Sequence, residues 1–164
     1  MKARFIYTIA LAIAALDQLS KSAVASRLPY GASVPLFGPA DITLVRNSGG
    51  AFGLFQSSTV PLTVISLVVV IGIVILSRNG RRLAPLVGWA LALQLGGAIG
   101  NLADRIRLGY VVDFIDLRVW PVFNVADIAI TGGILLLAAH IIFCDRAART
   151  ARESAPAESE PAKR

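Results

Sequence analysis

The chain has 164 residues, 55% of them hydrophobic and 16% charged, with 16 Lys and Arg against 10 Asp and Glu for a net charge of +6. A soluble domain carries about 25% charged residues, and the mean hydropathy of +0.69 puts the apolar surplus in runs that one small globule cannot hide. The single cysteine, Cys144, excludes an internal disulfide and a multi-cysteine zinc site, and the single histidine, His140, excludes a histidine cluster, so the chemistry leans on carboxylates.

Four segments reach the roughly 20 apolar residues that a spanning helix needs: 5–24, 60–77, 83–100 and 126–143. The first follows Met1-Lys2-Ala3-Arg4 and looks like a signal peptide, yet it runs through Asp17 and Lys21 with no small-residue cleavage site, so it reads as retained. Asp17 and Lys21 stand at i, i+4 and can pair on one helix face, either as a self-neutralising couple or as a brace for a polar site. The outer segment 25–59 carries Pro29, Gly31, Pro35, Gly38 and Pro39, then the β-like run Ile42-Thr43-Leu44-Val45, which predicts a small sheet lying on the membrane.

The third span ends in Gly96, Gly97 and Gly100, whose small size lets a helix or a substrate backbone approach closely, and Asn101, Asp104 and Arg105 follow it. In the outer segment 101–125, charged residues alternate with Ile106, Tyr110, Val111, Val112, Phe114 and Trp120, a pattern suited to half-burial in the interface. Asn124 and Asp127 open the fourth span on one face of its first turn, where an acid also complements the helix dipole. Trp120 reads as an interface anchor, and His140 and Cys144 as packing or helix-end groups. Residues 147–164 read as a disordered polar tail beyond a membrane domain of 1–146.

With both termini in the cytoplasm, ten of the basic residues (Lys2, Arg4, Arg78, Arg81, Arg82, Arg146, Arg149, Arg152, Lys163, Arg164) lie inside, as the positive-inside rule favours. The basic charge then reports topology and contact with anionic lipid, and gives no reason to invoke nucleic acid.

Ionisable groups at membrane depth need a partner or a task. Asp113, amid Val111, Val112, Phe114 and Ile115, can return to the level of Asp127. Two carboxylates sharing a water cannot both ionise easily, so one stays protonated while the other serves as general base. Such a pair activates water and protonates an amine leaving group without metal, serine or histidine. Membrane proton relays also use aspartates, which keeps open a small proton-coupled transporter or channel subunit using Asp17, Asp113 and Asp127. A non-enzymatic lipid-binding scaffold is the third reading, and the absence of internal repeats leaves an inverted-repeat transporter only the even number of spans.

Five ordered blocks narrow the choice: Asp17-Gln18-Leu19-Ser20-Lys21; Asn47-Ser48-Gly49-Gly50-Ala51-Phe52-Gly53; Gly96 to Arg105; Val112-Asp113-Phe114; and Phe123-Asn124-Val125-Ala126-Asp127. Together they closely resemble the bacterial lipoprotein signal peptidases, or type II signal peptidases. The resemblance covers nearly everything from Phe5 to Cys144; Gly50 and Gly53 depart from the Ala and Ser frequent there in the family. It implies a mainly α membrane protein of four transmembrane helices, with a small extramembrane β-sheet and a short interfacial periplasmic helix. It further implies a monomeric aspartyl endopeptidase of the inner membrane, without metal or other cofactor, active near the periplasmic surface. Its substrates would be prolipoproteins cut just before a diacylglyceryl-modified cysteine, presented from membrane lipid, and its inhibitor the cyclic peptide globomycin. By motif, Asp113 and Asp127 match the catalytic pair, and Asp17, Lys21, Asn47, Gly97, Asn101, Arg105 and Asn124 the supporting polar and small residues. Asp104 matches too, in a structural role.

Overall fold

Pro85 starts the most deeply buried helix, since its fixed φ suits a position whose N–H has no partner inside the helix. Gly109 ends it: in the left-handed conformation (φ 78°) its N–H donates to the Arg105 carbonyl at 3.1 Å. This helix lies at the centre of a computed structural model that describes residues 1–49, 59–78 and 83–153, with side chains as far as Cys144.

In chain order the elements are α1 (Ala3–Ala25), β1 (Ser33–Phe37), β2 (Ala40–Asn47), α2 (Val60–Arg78), α3 (Pro85–Leu108), β3 (Val111–Asp116) and α4 (Val125–Glu153). All of α1, α2 and α3, and Val125–Cys144 of α4, are long and apolar enough to cross a membrane. Their outer surfaces expose Leu11, Val68, Ile75, Ile134, Leu135 and similar side chains, as lipid contact requires.

The core is built from small residues because helices in lipid gain by close van der Waals approach. A Cβ on Gly96 would lie 2.7 Å from the Ala10 carbonyl oxygen of α1. On Gly133 of α4 it would lie 2.7 Å from the Ala90 carbonyl oxygen of α3. Ile6, Ala10, Ala92 and Leu95 fill the space between α1 and α3.

The strands form an antiparallel sheet in the order β1-β2-β3. Because β2 comes from the first outer segment and β3 from the second, the two segments share one side of the bundle. Val45 sits opposite Asp113 and Asn47 opposite Val111, after a register shift between Ile42 and Val45.

Two boundaries differ from the sequence expectation. The third span continues past 100 to Leu108, so Asn101, Asp104 and Arg105 are helical. They are polar because they face inward, not because the helix has ended. α4 runs on to Glu153, which takes 147–153 of the expected disordered tail into helical backbone; 154–164 lie outside the described residues. The short outer-face helix is not among the described residues, and 50–58, including the Gly50–Gly53 part of its motif, lie outside them.

Candidate active site

Lys21 is the centre of the first polar cluster. Its ammonium has three protons and meets three oxygens: Asp17 Oδ2 at 2.8 Å, Asp104 Oδ2 at 2.9 Å and Asn101 Oδ1 at 3.0 Å. All four side chains are buried. The remaining carboxylate oxygens are also used. Asp17 Oδ1 accepts the Ala126 N–H at 2.9 Å, in the first turn of α4, and Asp104 Oδ1 accepts Gln18 Nε2 at 2.9 Å. The Val112 N–H, at the start of β3, donates to Asp104 Oδ2 at 3.1 Å. One buried cluster thus ties α1, α3, β3 and α4 together.

Asn124 organises the second. Asn124 Oδ1 accepts the Asp127 N–H at 3.0 Å, and Asp127 Oδ2 accepts the Asn124 N–H at 3.3 Å, a reciprocal cap on the first turn of α4. The Asn124 amide nitrogen also donates to Asp113 Oδ1 and to Asn101 Oδ1. Asp113 Oδ2 receives Asn47 Nδ2 at 2.7 Å from the neighbouring strand, and Asp127 Oδ1 receives Asn101 Nδ2 at 2.8 Å from α3. Two aspartates from separate segments are therefore held by a shared asparagine and ringed by neutral amide donors.

The consequence is electrostatic. Burial pushes the Asp113 carboxyl up to about 7, with the charge of Asp127 adding to the rise; the Asn47 and Asn124 donors and the more distant Lys21 charge pull the other way without cancelling it. Asp127, Asn101, Asn47, Arg105, Leu62 and Ile130 help line a cleft of about 350 Å³. Arg105 donates from Nη1 to Ser66 Oγ at 3.2 Å, while its buried Nε has no hydrogen-bond partner among the described residues. Among the described residues no group of three or more His, Cys, Asp or Glu side chains has metal-holding geometry.

Every candidate site residue read from the sequence falls on one of these clusters or at their boundary. Asp17 and Lys21 pair as their spacing predicts. Gly97 acts through packing, since a Cβ there would lie 2.4 Å from the Ala126 carbonyl oxygen at the α3–α4 crossing. Gln18 was not singled out for a role, and Gly100 was read only as a close-approach glycine. Gln18 spans Asp104 and the Gly100 carbonyl, and accepts Arg107 Nη1 at 3.1 Å. Gly100 makes room for Asp17, whose Oδ2 would lie 2.5 Å from a Cβ at that position. The signal for Gln18 was adjacency to Asp17; for Gly100 it was small size, and the group that approaches closely is the Asp17 carboxylate. His140 and Cys144 lie near each other on the other end of α4, away from both clusters.

Four spans, a sheet on one side and two linked carboxylates, Asp113 buried and Asp127 half-buried on the wall of a cleft, define an integral membrane enzyme. The sequence profile of Signal peptidase (SPase) II matches residues 9–143. The lipoprotein signal peptidase of Moorella thermoacetica is 45% identical over 130 residues, 79% of this chain and 87% of that protein. That of Mycobacterium avium is 42% identical over 147 residues, 85% and 80% of the two chains. One solved bacterial membrane enzyme superposes with a TM-score of 0.79 at 26% identity, covering 95% of this chain and 94% of that one; a second gives 0.74 at 29%, covering 84% and 92%. The chain belongs to the signal peptidase II family, membrane peptidases that process lipoproteins.

Proposed function

We propose that this chain is an aspartic endopeptidase of the bacterial inner membrane. It removes the signal peptide from diacylglyceryl-modified prolipoproteins by cutting just before the lipidated cysteine, with Asp113 and Asp127 as its catalytic pair. The observation that carries this reading is the grip of Asn124 on both carboxylates beside the cleft.

The pair holds one proton. The ionised carboxylate takes a proton from water, whose oxygen attacks the carbonyl preceding the modified cysteine, while the protonated partner donates to that carbonyl oxygen. Collapse of the tetrahedral intermediate breaks the C–N bond. The pair returns a proton to the departing amine, and the signal peptide leaves with a new carboxylate. Asn47, Asn101 and Asn124 keep the two acids in register, and Arg105 places positive charge beside the cleft where negative charge develops on the oxygen. Asp17 and Lys21 position this machinery through the Ala126 amide and Asn101.

Both termini lie in the cytoplasm, following the basic bias of the first and last segments, and the site faces the periplasmic surface. A monomer suffices, since both acids come from one chain. Substrate arrives sideways from membrane lipid, and globomycin competes with it for the cleft.

The test is cleavage of a diacylglyceryl-modified precursor by purified protein in detergent, with no ion gradient. Wild type cleaves, and Asp113→Asn and Asp127→Asn each lose roughly a thousandfold or more in rate while remaining folded. Substantial turnover by either variant rejects the pair. A requirement for a gradient restores the transporter reading.

A further inference from the structure

Two depressions meet at the start of α4. One is the cleft at Asp127; the other is a groove of about 480 Å³ on the adjoining face of α4, bounded by Leu117, Trp120, Phe123, Ile128, Gly132 and Leu135. Asp127 and Thr131, one helical turn apart, border both. Apart from that shared edge the groove is walled by aliphatic and aromatic side chains. Trp120, Ile128 and Leu135 are more than half exposed, so its open side faces lipid.

Gly132 helps to hollow this groove, and helix packing does not demand it. A Cβ at Gly97 or Gly133 would collide with a neighbouring backbone, whereas a Cβ at Gly132 would meet only Leu93 Cδ1, at an ordinary 3.8 Å. The missing side chain at Gly132 leaves that part of the groove wall open.

We propose that the groove seats an acyl chain of the diacylglyceryl group on the substrate cysteine, so that the peptide bond preceding that cysteine is held over Asp127. This rests on the function proposed above and names where its lipid binds. A peptide segment lying in the groove would leave backbone N–H and C=O groups without partners in lipid, while an acyl chain carries none. From Asp127 to Leu135 the helix rises about 12 Å, giving an extended chain a track along the direction of the surrounding lipid tails. The groove is also continuous with the cleft through Asp127 and Thr131, as a substrate with its scissile bond and its lipid close together requires.

The experiment compares precursor peptides carrying dipalmitoylglyceryl or dihexanoylglyceryl cysteine, cleaved by purified full-length protein in detergent. In wild type the palmitoyl substrate has the lower KM. Gly132→Leu fills the groove and raises KM for the palmitoyl substrate roughly tenfold, leaves KM for the hexanoyl substrate and both kcat values nearly unchanged, and so removes the preference for the longer chain. Gly132→Ala gives a smaller change in the same direction. Gly72→Leu is the control: a Cβ on that α2 residue has no neighbour within 4 Å, and the variant keeps the wild-type preference. A Gly132→Leu enzyme that retains the full chain-length preference overturns the proposal, as expected if bulk lipid alone occupies the groove. That result leaves the peptidase reading standing, because wild-type cleavage and its dependence on Asp113 and Asp127 are read in the same assay.

Discussion

The two polar clusters share Asn101 yet differ in what surrounds their acids. Asp17 and Asp104 each touch the Lys21 ammonium, and every proton of that cation meets an oxygen. Asp113 and Asp127 are instead surrounded by Asn47, Asn101 and Asn124, whose amides donate hydrogen bonds but carry no charge. The first arrangement offsets buried carboxylate charge with a shared cation and holds helices together. The second leaves two acids competing to stay ionised, which suits them to proton transfer. Asn101 links the clusters: Lys21 fixes its oxygen, and that sets the direction in which its NH₂ group meets Asp127.

This contrast can be broken experimentally, beginning with the largest effect. Asp113→Asn and Asp127→Asn should abolish cleavage, with little change in thermal unfolding in detergent. Lys21→Met should do the reverse first, costing about 3–5 kcal/mol of stability because it strands two buried carboxylates; an unchanged unfolding temperature would erase the distinction. Its spacing from Asp17 alone predicts a milder loss, and the second partner, Asp104, is what raises the expectation. Gly97→Ala should cost about 1–3 kcal/mol by forcing apart the α3–α4 crossing, again measured by unfolding. The finest test is the pH profile. With the Asp113 carboxyl near 7, the pair keeps its shared proton below that pH and loses it above, so kcat/KM should fall on the alkaline side by up to about tenfold per pH unit. Asn47→Ala removes a donor that favours the ionised form, so the carboxyl rises further and the alkaline limb should move to higher pH by less than about one unit.

Hydropathy made the four spans legible, and the run Ile42–Val45 announced the sheet, because both signals are local. The end of α3 was harder to read. Asn101, Asp104 and Arg105 interrupt the apolar run and imitate a helix terminus, whereas their polarity serves partners on α1, α2 and α4. Arg107 followed by Gly109 was the better local sign, since a basic last turn and a left-handed glycine are how helices stop. For the site, the spacing of Asn124 and Asp127 already placed them on one helical face. That Asn47 reaches Asp113 depends on the pairing of β2 with β3, a long-range contact that no short window of sequence contains.

The contributions to the site come from α1, β2, α3, β3 and the first turn of α4, so they assemble only when the last helix has been inserted. A nascent chain with three spans in place has Lys21, Asp104 and Asn101 but neither Asn124 nor Asp127. On the function proposed above, activity is coupled to completed membrane insertion, because a chain stopped after three spans lacks one member of the proposed pair.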